Sequence, residues 1–221
     1  MKIAEGLYAY IWQSLYENNC NTYLIETDKI ALIDPGHLHR LPNLFDQMER
    51  DGVSPERIDL VIATHSHPDH LEGLEAFVER PVKIAMGLEE EGYLQGSGKH
   101  LYEMMGHPLP SLRIDFFLKE GEFFLGRERF FVYHTPGHSP GSLTLYWPAQ
   151  KALFTGDLVF SGGVGRTDFP GGNGKELMRS IERMARLEIE WLLPGHGEVV
   201  QGKEWVLYNF QSIRQNFYPF L

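Results

Sequence analysis

Residues 65–70, read as H-x-H-x-D-H, place four side chains able to ligate a metal (His65, His67, Asp69, His70) in one short stretch after the apolar run Leu60-Val61-Ile62-Ala63. The aliphatic and β-branched run reads as a short buried strand. Pro68 disfavours helical geometry in the residue before it, so His65 and His67 are expected on the loop at the strand's end. Asp69 is read as the N-cap of a following helix, with Glu72 three residues on and an apolar face of Leu71, Leu74, Ala76, Phe77 and Val78. Ligands from the loop and from the helix start would converge on one pocket, where neutral imidazoles and a carboxylate suit zinc, manganese or iron. A polar surface loop is the plain alternative, but three histidines in six positions are not what chance supplies.

A metal site needs more donors than one loop carries, and the chain repeats the arrangement further on. His138 stands in Thr135-Pro136-Gly137-His138-Ser139 after the alternating stretch 128–134. Asp157 stands in Thr155-Gly156-Asp157 after Ala152-Leu153-Phe154, and His196 in Pro194-Gly195-His196-Gly197 after Trp191-Leu192-Leu193. Each follows an apolar strand and adjoins a glycine, which lets the backbone turn sharply and pack near an ion.

With these segments in hand, the chain resembles a metallo-β-lactamase-fold hydrolase from about residue 5 to 200, and Asp34 in Leu32-Ile33-Asp34-Pro35-Gly36 supplies a further signature segment. Gly165-Arg166-Thr167-Asp168-Phe169-Pro170-Gly171-Gly172 is similar to the glyoxalase II-like and persulfide dioxygenase branch. The resemblance implies an α/β fold, a four-layer αββα sandwich. It also implies that His65, His67 and His138 hold one metal, that Asp69, His70 and His196 hold a second, and that Asp157 bridges them. The cofactors expected are two divalent ions, Zn2+ first, with iron or manganese as alternatives. Asp69 would also orient the hydroxide shared by the metals, and Asp34 would hydrogen-bond a ligand histidine. From the residues alone, Asp34 reads nearly as well as a turn former before Pro35-Gly36.

Length and composition fit this reading. A chain of 221 residues, with hydrophobic residues at 43% and charged residues at 23%, suits one soluble globular domain spanning 1–221 with a short C-terminal helix. No apolar run reaches the length of a membrane span and the start carries no apolar signal segment, so no membrane partner and a cytoplasmic location are expected. The formal charge of −10 argues against a nucleic-acid partner. Cys20 is the only cysteine, which excludes an internal disulfide and points to a small buried side chain.

Elsewhere, 3–12 and 20–33 read as three strands, with a hairpin turn at Thr27-Asp28-Lys29. Helices are expected over 38–50, 175–187 and 204–216. His37 and His39 read as exposed polar residues. The segment 87–110 is broken by glycines; Tyr93, His100, Tyr102 and His107 are pocket candidates there, with solvated or packing roles favoured. The glycine-rich stretch 161–174 satisfies no phosphate-loop pattern, and Arg166 is read as pairing with Asp168. Trp205, Tyr208, Phe210 and Phe217 would pack on the core or on a second subunit, leaving a homodimer open.

The function these readings support is dinuclear metal-dependent hydrolysis of a small thioester or ester, glyoxalase II-like, with S-lactoylglutathione as the type of substrate. Residues 197–221 carry only Lys203 and Arg214 as cations, less than the basic helical region of full-length glyoxalase II, so a compact enzyme or a broader thioesterase is the form expected. The alternative is a persulfide dioxygenase with one iron on His65, His138 and Asp157; lactonase and β-lactamase activities rank below both.

Overall fold

The computed structural model describes residues 1–14 and 16–221. One sheet of seven strands runs in chain order: β1 (Lys2–Ala4), β2 (Leu7–Tyr10), β3 (Thr22–Glu26), β4 (Ile30–Ile33), β5 (Leu60–Ile62), β6 (Lys83–Gly87) and β7 (Phe116–Leu118). Strands β4 to β7 are parallel, and the earlier pairs antiparallel. The second sheet is built from β8 (Gly121–Leu125), β9 (Glu128–His134), β10 (Leu143–Trp147), β11 (Ala152–Gly156), β14 (Trp191–Pro194) and β15 (Val200–Gln201), in the order β15-β14-β11-β10-β9-β8. A small hairpin of β12 (Val159–Phe160) and β13 (Gly163–Val164) lies between β11 and β14 in sequence.

Alternation of side chains across each strand produces the layers. In β3, Tyr23 and Ile25 join the core shared by the two sheets while Leu24 faces the opposite side; in β4, Ala31 and Ile33 point inward and Ile30 and Leu32 outward. In β10, Leu143, Leu145 and Trp147 pack inward against residues such as Phe130 and Phe154, while Tyr146 faces outward. The outer side of the first sheet is covered by helix α1 (Leu41–Arg50), through Leu41, Leu44 and Met48, together with Leu74, Phe77, Leu94 and Tyr102. Helices α5 (Gly174–Met184) and α6 (Lys203–Asn216) cover the second sheet with Leu177, Ile181, Met184, Val206, Phe210 and Ile213. The result is the expected αββα sandwich. Each such side chain withdrawn fully from water contributes about 1.5–3 kcal/mol. Among the described residues, no helix is long and apolar enough to cross a membrane.

Several local expectations change. The first reading of three strands becomes four, because Gly6, at φ +67, turns the chain between β1 and β2. The helix after the loop of His65 and His67 is one α-turn, α2 (Pro68–Leu71), continued as a 3-10 helix over Glu72–Phe77. His67 occupies its N-cap position and Asp69 lies in the first turn, so Asp69 is not the cap: its carboxylate is drawn instead toward neighbouring polar groups. The segment 87–110, read as irregular, holds α3 (Leu88–Gln95) and α4 (Lys99–Met105). The inward side of α3 carries Glu90 beside Tyr93 and Leu94, so no apolar periodicity announces it.

Candidate metal centre

The candidate ligands lie where strands of both sheets end. Asp34 follows β4, His65 and His67 follow β5, Asp157 follows β11 and His196 follows β14; these are carboxyl ends of parallel strands, the common place for a site in a layered α/β fold. His138 arrives on the turn from β9 to β10, and Asp69 and His70 sit on α2. Asn21 holds the His196 loop against the first sheet, its Nδ2 donating to the carbonyls of Pro194 (3.0 Å) and Gly197 (2.8 Å).

All seven candidate residues meet. One nitrogen each from His65, His67 and His138 lie mutually within 4.8 Å, and the same holds for the donor atoms of Asp69, His70 and His196. Asp157 stands between the two groups: Oδ1 is 3.2 Å from His70 Nε2, and Oδ2 is 3.4 Å from both His138 Nε2 and His196 Nε2. His138 Nε2 is 2.8 Å from His67 Nδ1, and His196 Nε2 is 3.2 Å from Asp69 Oδ2. His65, His67, His70 and His138 are almost wholly enclosed, whereas the His196 side chain keeps 24% of its surface exposed and marks the open side.

Three enclosed atoms, His65 Nε2, His67 Nε2 and Asp157 Oδ1, make no hydrogen bond. Leaving such atoms unmatched costs about 1–3 kcal/mol each, and all three belong to metal-ligating atom types aimed into one cluster. The donor set therefore fits divalent metal ions. Burial, with neighbouring imidazoles, keeps His65 well below the usual histidine range and lowers His67 to about 3, so both rings are neutral and able to coordinate. Burial opposes charge on His196 and His70 too, yet Asp157 and the other carboxylates prevail, raising His196 to about 10 and His70 well above its ordinary value. Asp157 is correspondingly held well below the carboxylate range: burial alone would raise it, but His196 and His70 outweigh that effect.

The surrounding groups aim these rings. Asp34 Oδ2 accepts from His70 Nδ1 at 3.0 Å and from Thr64 Oγ1 at 2.7 Å, while Oδ1 accepts from the Thr64 amide at 2.7 Å. The Arg166 carbonyl accepts from His138 Nδ1 at 2.7 Å, leaving Nε2 for the cluster. Gly195 is required by space: a Cβ there would stand 2.2 Å from Asp157 Oδ1. Phe169 and Phe160 flank the centre, 5.6 Å from His67 and 5.7 Å from His196 between ring centroids. Arg166 pairs with Asp168 through two bonds of 2.7 and 2.6 Å, as expected, and lies over the Phe169 ring.

Sequence reading missed Glu90, wholly buried on α3. Its Oε1 accepts from the Ser66 amide and hydroxyl at 2.8 and 2.7 Å, and its Oε2 from Ser139 Oγ at 2.7 Å and the Gly141 amide at 2.8 Å. It thus ties the loop of His65 and His67 to the loop of His138. Nothing in Glu89-Glu90-Glu91 distinguishes the middle residue. Asn18 was missed too; its Nδ2 donates to Asp69 Oδ2 at 2.6 Å.

His37 is a correction. Expected to be exposed, it is buried because Glu72 Oε2 takes its Nδ1 at 2.6 Å; His39 is exposed as expected. Of the candidates in 87–110, Tyr102 lies buried with its hydroxyl on the Ser66 carbonyl, Tyr93 donates to the Pro170 carbonyl, His107 pairs with Glu72 and His100 is on the surface beside Glu103.

The model of the Metallo-beta-lactamase superfamily matches residues 15–196. The chain is 34% identical over 191 residues to a probable metallo-hydrolase of Methanocaldococcus jannaschii, covering 83% of this chain and 90% of that one. It is 31% identical over 175 residues to a hydroxyacylglutathione hydrolase of Haemophilus influenzae, covering 75% and 78%. Among solved structures, one determined in a di-iron-bound form superimposes with a TM-score of 0.75 at 30% identity, over 97% of this chain and 100% of the other.

Proposed function

This chain belongs to the metallo-beta-lactamase superfamily, whose members bind metal ions, and on that footing we propose that it is a metallo-hydrolase of small thioesters or esters that works with two divalent ions. His65, His67 and His138 would hold one ion, Asp69, His70 and His196 the other, and Asp157 would be shared. Zn2+ suits this set of imidazoles and carboxylates, with iron or manganese as alternatives. Bound there, the ions would supply a water of lowered pKa and polarise the carbonyl under attack.

The protein's own groups complete the chemistry. Asp69, hydrogen-bonded by Asn18, would orient the attacking water, and Phe160 and Phe169, beside His196 and His67, would give the acyl group apolar walls. The thiol and two hydroxyls carried by the neighbouring loops are not free to act as nucleophiles. Cys20 is buried behind Asp34, donating to its carbonyl oxygen, and burial pushes its thiol well up. The hydroxyls of Ser66 and Ser139 are both committed to Glu90.

The observation that carries this reading is the trio of unmatched buried atoms around Asp157. The likeness to a hydroxyacylglutathione hydrolase supports the thioester class, and the likeness to a di-iron form supports two ions. A single iron on His65, His138 and Asp157 would leave the cluster of Asp69, His70 and His196 without a task. The test is to strip the protein with a chelator, reload it with zinc, iron or manganese, and assay S-lactoylglutathione, an acyl-coenzyme A and glutathione persulfide, with an oxygen electrode. Thioester cleavage with two metal equivalents and no oxygen uptake is expected. One retained iron with persulfide-dependent oxygen consumption overturns it.

A further inference from the structure

A second group of metal-ligating side chains gathers away from the centre's own ligands. His37 caps the start of the short 3-10 turn Leu38–Arg40 and His39 lies within it, and Glu72 faces them from the 3-10 helix Glu72–Phe77. One donor atom from each of these three residues falls within 4.8 Å of the others. His107 Nδ1 adds a fourth, 2.5 Å from Glu72 Oε1, while Glu72 Oε2 meets His37 Nδ1 at 2.6 Å. Glu17 Oε1 stands 2.5 Å from His39 Nε2. The rings of His37 and His107 stack with centroids 5.2 Å apart and planes at 11°, so both present nitrogens to the same carboxylate.

We propose that His37, His39 and Glu72, with His107 beside them, form an additional binding site for a divalent transition-metal ion such as Zn2+. Three separate stretches of chain deliver these three imidazoles and one carboxylate to one point, a donor set matched to zinc in type and number. The floor is rigid and buried: the His37 amide donates to Asn19 Oδ1 at 2.8 Å, and the Gly73 amide clamps the Glu72 helix onto the Gly36 carbonyl at 2.7 Å. The mouth is open. His39 and His107 keep 57% and 32% of their side-chain surface exposed, and a cavity of about 510 Å3 lined by Leu38, His39, Glu72, Glu75 and His107 adjoins them. Glu17, Glu72 and Glu75 give the spot a surplus of negative charge, against which the guanidinium of Arg40 stands on Glu17.

The experiment is a zinc titration of the chelator-stripped protein in the presence of a competing chromophoric chelator, for wild type and for His39→Ala. The exposed position of His39 makes the variant safe to fold, and Glu72→Gln serves as a second probe. Wild type is expected to take up one equivalent of Zn2+ more than either variant, with affinity at that equivalent falling about tenfold or more. Crystals grown with zinc are expected to show an anomalous peak among His37, His39 and Glu72. Equal uptake by wild type and both variants, or no peak there while zinc occupies other positions, overturns the proposal and leaves the group a hydrogen-bonded anchor. The comparison reads only the equivalent that His39 controls, so its outcome is separate from that at His65, His67 and His138.

Discussion

Asp34 and His70 are joined through Oδ2 and Nδ1 at 3.0 Å, so one carboxylate at the end of β4 decides which nitrogen of a buried imidazole faces Asp69 and His196. Asp34 holds this position with φ at +52, in the left-handed region, and its second oxygen is occupied by the Thr64 amide.

Replacement of Asp34 by asparagine is therefore expected to keep the backbone, since Asn tolerates that conformation, while weakening the grip on His70. Metal affinity should fall about 10- to 100-fold, read by competition with a chelator. An unchanged affinity would remove Asp34 from any part in aiming the ring.

Glu90→Gln replaces one of two accepting oxygens with an amide that cannot accept. At least one donor among Ser66, Ser139 and Gly141 then lacks its partner, and urea unfolding is expected to show a loss of about 1–3 kcal/mol. Because Glu90 links the His65–His67 loop to the His138 loop, metal affinity should drop as well. Lost stability with full affinity would make Glu90 an anchor of the fold alone.

A matched pair of glycine substitutions separates crowding at the centre from helix propensity. A Cβ at Gly165 would stand 1.8 Å from the Asp157 carbonyl oxygen and 3.1 Å from His138 Cγ, so Gly165→Ala should displace both and reduce bound metal. Gly92, inside α3, has open space at that point, and Gly92→Ala is expected to stabilise by up to about 1 kcal/mol. Metal analysis and thermal melting of the two variants check this; equal metal content in both would refute the crowding argument.

In the helical layer over the second sheet, Arg214 and then Tyr218 hydrogen-bond Glu182 and hold its carboxyl below its ordinary 4.5, fastening α6 and the residues after it to α5. A carboxyl lowered by folding stabilises above its unfolded value and loses that contribution as pH falls through the folded one. Wild type should thus melt higher than Glu182→Gln at neutral pH, and the gap should close on acidification below 4.5. Melting curves of both proteins across that range provide the measurement, and a gap independent of pH would contradict it.

The candidate metal ligands were readable in the chain because their signal is local. An apolar strand, a turn with glycine or proline and a histidine or aspartate at the strand's end all fall within a few neighbouring residues, as at His65, Asp157 and His196, whereas the four layers were implied by the family resemblance and not by any spacing: Ile30-Ala31-Leu32-Ile33 is apolar throughout and does not say which side chains face inward. The residues by themselves did not say which of these ends meet, a grouping that only the family resemblance implied; the packed structure brings His67 to His138 and sets Asp157 between two groups, and it alone revealed that Glu90 bridges two loops from a helix no periodicity announced. It also buried His37, which local composition marked as a surface residue, by bringing Glu72 to it. The physical reason is that apolar burial repeats with the period of a strand or helix and so leaves a pattern in sequence, whereas a buried polar group needs one partner, supplied by a distant segment whose approach only the packed sheets define.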